Sequence, residues 1–251
     1  TLSGYMRDKY KSNGVKKVYL FQLIGLSVLS TGVQLLAGSQ ILALATGLPF
    51  NLITVLLAVI ALSYSLFSGI KASMLTDAIQ MVFMLLAGGM FLVMGVHAGG
   101  ISGVKAGLSG ISGNFGSFWS PEGIEVFLSF GLPTTIGLLS GPFGDQSFWQ
   151  RAFAVRKERI GRAFFVGAIL FAVVPLSMGV LGLVGAGIGY QAQDLGVINF
   201  ELIRELFPKW AALPFLLMII SGLLSTVDSN LCAVSSLVTD ISGGKELKKT
   251  K

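Results

Sequence analysis

The chain has 251 residues, of which 53% are hydrophobic and 12% are charged, and its mean hydropathy is +0.79. A charged share this low excludes an ordinary soluble domain and indicates a polytopic membrane protein. Lys and Arg outnumber Asp and Glu by 18 to 12, an excess that in a membrane protein marks cytoplasmic loops and does not indicate nucleic-acid binding. One Cys and one His exclude a disulfide framework and argue against a zinc site.

Two spans are predicted in the first uncharged stretch, which follows a polar and basic segment over residues 1–17. No formal charge occurs from Val18 to Ile70, and this length exceeds one span of about 20 residues. The turn-forming sequence GLPFN at 47–51 marks a break in it. The stretch therefore predicts helices over about 18–46 and 52–70.

A third span is predicted over about 78–97, after a short loop marked by Lys71 and Asp77. A connector rich in Gly and Ser then runs from Gly99 to Glu125. Its weak amphipathic character indicates a loop at the membrane interface.

The fourth predicted span, over about 126–150, has the composition of a broken helix. Pro142 lacks an N–H and clashes with the preceding turn, and Gly141 and Gly144 permit unusual backbone angles. Unwound backbone at membrane depth persists only where it is buried in protein or lines a cavity, and its free polar groups can then bind a solute. The alternative is an ordinary proline kink.

Polar residues follow this predicted break. Asp145, Gln146 and Gln150 either order an inner gate, with Trp149 packed beside them, or only mark the exit from the membrane.

Two more spans complete a six-span layout, over about 163–189 and about 210–240, with the amphipathic sequence FELIRELF between them. When alternate loops are assigned to opposite sides, 15 of the 18 Lys and Arg fall on the side of both chain ends, and only Lys105, Arg204 and Lys209 fall on the other. The positive-inside rule therefore supports six spans with both ends in the cytoplasm. We expect an integral protein of the plasma (cytoplasmic) membrane.

The last span carries many polar side chains for a membrane helix. At about 100° per residue, Gly222, Ser225, Thr226 and Ser229 share one face. Hydroxyls beside a glycine provide hard, neutral oxygen ligands and room for a second backbone, as a dehydrated monovalent cation requires. Ser and Thr in membrane helices otherwise contact a neighbouring helix or bond to their own backbone.

Two carboxylates have alternative interpretations. Asp228 lies off the hydroxyl face in mid-membrane, where a carboxylate is a functional candidate, and it either pairs with a polar group on another helix, tunes the electrostatics of the site or has a structural role. Asp77 is either functional or a helix N-cap at the membrane surface, with Thr76 as the competing cap.

Four stretches resemble the sodium/solute symporter family in the order expected there: TLSGYMRDKY, YSLFSGIKASMLTDAIQ, GDQSFWQRAFA and LLSTVDSNLCAVSSLVTDI. The family contains the sodium–glucose, sodium–proline and sodium–pantothenate carriers. The resemblance implies an all-α leucine-transporter-type fold, with inverted repeats and alternating access. On this interpretation the chain is a single transmembrane domain over 1–251 and a fragment covering the third to eighth core helices of a longer transporter.

The resemblance also implies a sodium site. Ser225 and Thr226 correspond to the hydroxyl ligands of the ion, Gly222 supplies a carbonyl, and Asp77 corresponds to the carboxylate on the exit route of sodium to the cytoplasm. No cofactor is implied apart from sodium as the coupling ion.

The same resemblance implies a solute site on the broken helix. The positions that would contact the solute are Ser140, Gly141, Phe143 and Gln146. The string DQxxWQR beginning at Asp145 is closest to the urea-type branch of the family, and it is too short to identify the solute.

The expected function is sodium-coupled import of a small polar organic solute such as urea, an amino acid or a carboxylate, with the lipid bilayer as the surrounding medium. The alternative is a transporter-like membrane sensor domain of a signalling protein, because some family members carry this fold fused to histidine-kinase modules. An enzyme is not expected, since the sequence has no His pair, no GxSxG motif and no metal-ligand cluster.

Overall fold

The computed structural model describes residues 1–67, 70–117 and 119–241, and within them the fold is all-α with no strand. Ten α-helices are present in these ranges: α1 (Leu2–Tyr10), α2 (Asn13–Thr46), α3 (Phe50–Phe67), α4 (Ile70–Gly107), α5 (Pro121–Val126), α6 (Leu132–Gly144), α7 (Gln146–Ala154), α8 (Ile160–Gly187), α9 (Ile198–Leu206) and α10 (Ala212–Ile241). Short 3-10 turns join several of them, and a π-helical turn over Phe127–Gly131 joins α5 to α6.

Five helical segments are long and apolar enough to cross a membrane: Asn13–Thr46, Ser73–Gly107, Pro121–Gly144, Lys157–Gly187 and Lys209–Ile241. The prediction of membrane spans is confirmed for these five. The remaining predicted span, 52–70, corresponds to the shorter helix α3, whose 18 residues measure about 27 Å at 1.5 Å per residue. Its predicted end includes residues 68 and 69, which lie outside the described residues.

The break predicted at 47–51 is confirmed. α2 ends where Gly47 adopts φ 73°, a left-handed conformation that favours glycine, and its N–H donates to the carbonyl of Ala43. Pro49 precedes α3, which begins at Phe50.

The predicted loop before the third span is wrong. α4 already begins at Ile70, so Asp77 lies in its third turn and is not an N-cap, and neither is Thr76. A charged residue is tolerated inside this helix because Asp77 has polar partners on two other helices, described below. The start of the predicted connector is also wrong, since α4 continues to Gly107 after a local kink at Gly100, where φ is 66°.

The fourth span is broken, but three residues later than the composition indicates. α6 continues through Pro142 to Gly144, and the chain then turns at Asp145, whose φ of −111° and ψ of 113° are extended. Pro142 is accommodated because it lies in the last turn of α6, where the missing N–H removes only one helical hydrogen bond. α7 therefore leaves in a new direction.

α10 occupies the centre of the helix arrangement and packs against α2, α3, α4 and α7. α4 and α8 form the most extensive helix pair. Glycines let these two backbones approach: a Cβ on Gly187 would overlap the backbone of Gly103, and a Cβ on Gly107 would overlap the backbone of Leu183. The main core, around the buried rings of Phe91 and Phe215, joins α4 to α10.

The N-terminal helix α1 is held against the end of α10 by one carboxylate. The hydroxyls of Thr1 and Ser3 each donate to Asp240 Oδ2 at 2.8 Å, and Lys16 Nζ lies 2.8 Å from Asp240 Oδ1. Three donors on one acceptor group anchor this end of the molecule.

Candidate ion and solute site

Two hydroxyls of α10, those of Ser225 and Ser229, contact other helices. Ser225 Oγ donates to Asp77 Oδ1 on α4 at 2.6 Å. One turn later, Ser229 Oγ donates to the carbonyl of Ser225 at 2.7 Å, and Ser229 is 8% exposed. The predicted sodium ligand Ser225 and the predicted exit-route residue Asp77 are therefore in direct contact.

Arg151 on α7 completes this cluster. Its Nη2 lies 2.6 Å from Asp77 Oδ2, in an ion pair, and 2.6 Å from Ser229 Oγ. The side chains of Arg151 and Asp77 are 34% and 18% exposed, so the pair is partly shielded from solvent. We call Asp77, Arg151, Ser225 and Ser229 the polar cluster. It ties together α4, α7 and α10.

The contact of Arg151 with Asp77 and Ser229 was not predicted from the sequence. Arg151 was used only as one of the cations that indicate topology. The available signal was its place in the DQxxWQR string, with Gln150 just before it. The contact itself joins residues that are 74 positions apart in the sequence, so no local pattern reports it.

Thr226 and Gly222 lie on the same side of α10 as Ser225. Thr226 Oγ1 donates to the carbonyl of Gly222 at 2.9 Å, which is the backbone bond named above as the alternative for such residues. Gly222 lies close to α4, since a Cβ there would meet Met84 Sδ at 3.5 Å. The structure thus brings Gly222, Thr226, Ser225 and Asp77 to one interface.

The donor set of this interface fits a hard monovalent cation. Ser225 Oγ and Thr226 Oγ1 each donate one hydrogen bond and keep lone pairs for an ion, whereas the Gly222 carbonyl already accepts from Thr226 Oγ1 as well as from the N–H of its own helix, so one of these bonds must open before it binds an ion. Three oxygens from one helix are fewer than a hard cation takes, so further ligands must come from another segment. In the part of the chain that the structure describes, no group of three or more His, Cys, Asp or Glu side chains is placed to hold a metal ion.

The predicted solute residues separate into two places. Ser140, Gly141 and Phe143 lie on α6, where Ser140 Oγ bonds its own helix at the carbonyl of Gly137 and Phe143 is 70% exposed. Gln146, by contrast, is 1% exposed, and its Oε1 accepts the N–H of Leu2 at 3.1 Å. The structure does not bring Gln146 to the other three.

The residues after the break hold α7 against α6 and α10 through hydrogen bonds. Asp145 caps α7 by accepting the N–H of Ser147 at 2.7 Å. Trp149 Nε1 donates to the carbonyl of Pro142 at 2.7 Å, and Gln150 Nε2 donates to the carbonyl of Cys232 at 3.1 Å. Movement of α7 therefore requires α6, α10 and the polar cluster to rearrange together.

The other side of α10 faces α2. Asn230 Nδ2 donates to Thr31 Oγ1 at 3.2 Å, and Asp228 is only 1% exposed.

Comparison with known proteins supports a transporter. The sequence model of the sodium:solute symporter family matches residues 1–241. The sodium/pantothenate symporter of Escherichia coli (strain K12) is 24% identical over 242 residues, which is 95% of this chain and 50% of that protein. Probable urea active transporter 2 of Schizosaccharomyces pombe (strain 972 / ATCC 24843) is 26% identical over 270 residues, 93% of this chain and 39% of that protein.

A third relative, a urea-proton symporter of Oryza sativa subsp. japonica, is 25% identical over 256 residues, 88% of this chain and 35% of that protein. The chain thus spans half or less of the length of these relatives. No solved structure is a significant match. The relatives are transporters and not enzymes, and the five apolar spans indicate an integral membrane protein.

Proposed function

The chain belongs to the sodium:solute symporter family, and on this basis we propose that it forms part of a secondary active transporter that couples sodium entry to import of a small polar organic solute. It works in the plasma membrane with both ends of this chain in the cytoplasm, by alternating access. The names of the relatives include pantothenate, urea, sodium and proton, so the experiment below varies both solute and ion.

The polar cluster is the observation that carries this proposal. One carboxylate, Asp77, accepts from Ser225 and Arg151 together, each at 2.6 Å. A cation held by Ser225, Thr226 and the Gly222 carbonyl would lie beside this carboxylate, which attracts it, and beside the guanidinium, which repels it. Sodium and Arg151 therefore compete for the same negative charge.

This competition can couple sodium to a conformational change. With Arg151 on Asp77 and Ser229, α7 is held against α4 and α10. Sodium favours the arrangement in which Arg151 has moved away, because only that arrangement leaves Asp77 to the ion. Coupling needs no more than such a difference in affinity, typically about 1–3 kcal/mol between two states.

We place the solute against α6. Ser140 and Phe143 offer a hydroxyl and an exposed aromatic face, and Gly141 between them has open space beside it, since a Cβ there would meet nothing within 4 Å. In the most apolar window of the span Pro121–Gly144, 0% of the residues are buried, so this helix has surface available for a solute and further protein. Gln146 contacts the solute only if its bond to the Leu2 N–H opens.

Uptake by the full-length protein in vesicles tests the proposal. Urea, pantothenate, proline and short carboxylates are offered with an inward gradient of either sodium or protons. Replacing both Ser225 and Thr226 by Ala removes two hydroxyl ligands, and we expect the sodium concentration for half-maximal uptake to rise about tenfold or more. Ser236→Ala on the same helix is the matched control, since within the residues that the structure describes the Ser236 hydroxyl donates to the Ala233 carbonyl of its own helix and to no other group.

Unchanged sodium dependence in the double variant would remove these hydroxyls from the mechanism. Uptake driven by a proton gradient alone would show that the coupling ion is the proton and not sodium. Solute binding without net uptake would instead favour the membrane sensor.

A further inference from the structure

The corner between α7 and α8 carries a concentration of cations. Arg156, Lys157, Arg159 and Arg162 lie within seven residues, against the single carboxylate of Glu158. All four side chains are exposed. Within the ranges that the structure describes, none of the four makes an ion pair or a side-chain hydrogen bond. Their charge is therefore available to an anion outside this chain.

Other cations of the molecule are used differently. Lys16 lies 2.8 Å from a carboxylate oxygen of Asp240, and Arg151 lies 2.6 Å from one of Asp77. Those two hold helices together. The cations of the α7–α8 corner hold nothing within the described chain, although they are five to eleven residues beyond Arg151.

Aromatic side chains surround the same corner. Phe153 is 59% exposed and Phe165 is 68% exposed, and the rings of Phe148 and Phe164 stack with centroids 6.2 Å apart. Trp149 and Phe153 add a second ring contact, at 5.9 Å. Aromatic side chains gather at the level of lipid headgroups, where one side of the ring is apolar and the other is wet.

The position of the corner agrees with that level. It follows the span Pro121–Gly144 and includes the first residues of the span Lys157–Gly187. The cations at this corner can attract a phosphate group. The exposed aromatic rings beside them offer an apolar surface to an acyl chain. Arg in particular presents a planar fork that matches phosphate oxygens.

We propose that this corner binds the headgroup of an anionic phospholipid and thereby holds α7 in place. Arg156, Lys157, Arg159 and Arg162 contact the phosphate, and the exposed rings of Phe153 and Phe165 contact the acyl chains. α7 also carries Arg151, so the lipid steadies the helix that supplies the cation of the polar cluster. The lipid site stands by itself, and only its effect on uptake rests on the proposed transport function.

Lipid binding is measured directly on the full-length protein by native mass spectrometry, with phosphatidylglycerol and phosphatidylcholine added in equal amounts. We expect wild type to retain phosphatidylglycerol preferentially. The variant R156Q/R159Q/R162Q loses this preference by roughly fivefold for each cation removed. The matched control K9Q/K11Q/K17Q removes three exposed cations from the N-terminal segment and keeps most of the preference.

Two outcomes overturn the proposal: an unchanged preference in R156Q/R159Q/R162Q, or an equal loss in both variants, which would mean unspecific attraction. Because these cations also bear on topology, the orientation of the triple variant is checked through the accessibility of a C-terminal tag. If the triple variant is misoriented or unfolded, the single variants R156Q, R159Q and R162Q are measured instead, and each should lose about fivefold of the preference for phosphatidylglycerol.

The effect on α7 is tested by uptake in vesicles of phosphatidylcholine with increasing fractions of phosphatidylglycerol. We expect wild-type uptake to rise several-fold and R156Q/R159Q/R162Q to stay flat. A parallel rise in both overturns the link to α7. Absence of any uptake counts against the transport function and leaves the binding result standing.

Discussion

The α4–α8 pair and the span Pro121–Gly144 are all apolar enough to cross a membrane, yet they are packed in different ways. Between α4 and α8, glycines such as Gly103 and Gly187 bring the two backbones into contact. In the most apolar window of the span Pro121–Gly144, no residue is buried. Lipid is as apolar as a leucine side chain, so hydrophobicity does not pull membrane helices together, and close packing of small residues does.

This difference distinguishes a packed scaffold, formed by α4 and α8, from an exposed surface, formed by α6. α4 and α8 pack on each other and present Asp77 to α10, whereas α6 exposes Leu139 and Phe143 by 71% and 70%. The relatives are at least twice as long as the matched segment, so they contain further chain. We expect the α4–α8 pair to tolerate little change and α6 to tolerate much.

The largest expected effect is on the α4–α8 contact. Gly187→Val would force a side chain into the backbone of Gly103, and we expect a loss of about 3 kcal/mol or more of folding free energy, seen as a large fall in melting temperature in detergent. Gly182→Val on α8 and Gly137→Val on α6 are the controls, because a Cβ at either position meets nothing within 4 Å. An equal loss in Gly137→Val would erase the distinction between the two regions.

The next effect concerns the polar cluster, which connects the scaffold to α7. Arg151→Gln leaves the charge of Asp77 without its partner, and we expect about 2 kcal/mol of destabilisation, reduced by the partial exposure of both side chains. The double variant D77N/R151Q leaves no lone charge and should melt closer to wild type. If the double variant is as unstable as the sum of the single variants, the pair is not energetically coupled.

A smaller effect is expected where α1 is attached. Asp240→Asn weakens the bonds from Thr1, Ser3 and Lys16 to one carboxylate, and we expect about 1 kcal/mol of local destabilisation. Limited trypsin cleavage after Lys11 should become faster while the melting temperature changes little. Lys17→Gln, an exposed neighbour of Lys16, is the control. Cleavage at the wild-type rate would show that α1 is held by other contacts.

The smallest effect on stability is expected on α6. Phe143→Ala removes a ring that is 70% exposed, so the free energy of unfolding should change by less than about 0.5 kcal/mol and the melting temperature should hardly move. Phe91→Ala, at 0% exposure in the core between α4 and α10, is the matched comparison and should cost about 3–5 kcal/mol. Reduced uptake by Phe143→Ala at normal stability would support a solute contact there, and normal uptake would remove it.

Local patterns predicted much of the fold. The break at Gly47, five apolar spans and the shared face of Gly222, Ser225 and Thr226 all follow from composition and from a 3.6-residue period. The start of α4 was missed because Lys71 and Asp77 look like loop residues until the partners of Asp77 are known. The exact break of the fourth helix was missed because a proline in the last turn need not end a helix.

The sequence by itself determined where the chain crosses an apolar medium and which side of α10 is polar, because hydropathy and helical period are local properties. Only the tertiary structure decided that Arg151 meets Asp77 and Ser229, and that Gln146 binds the N-terminal helix. Those contacts join residues 74, 78 and 144 positions apart. The surface that a membrane helix presents to lipid is apolar whatever its neighbours are. Which polar groups meet therefore depends on how the helices pack.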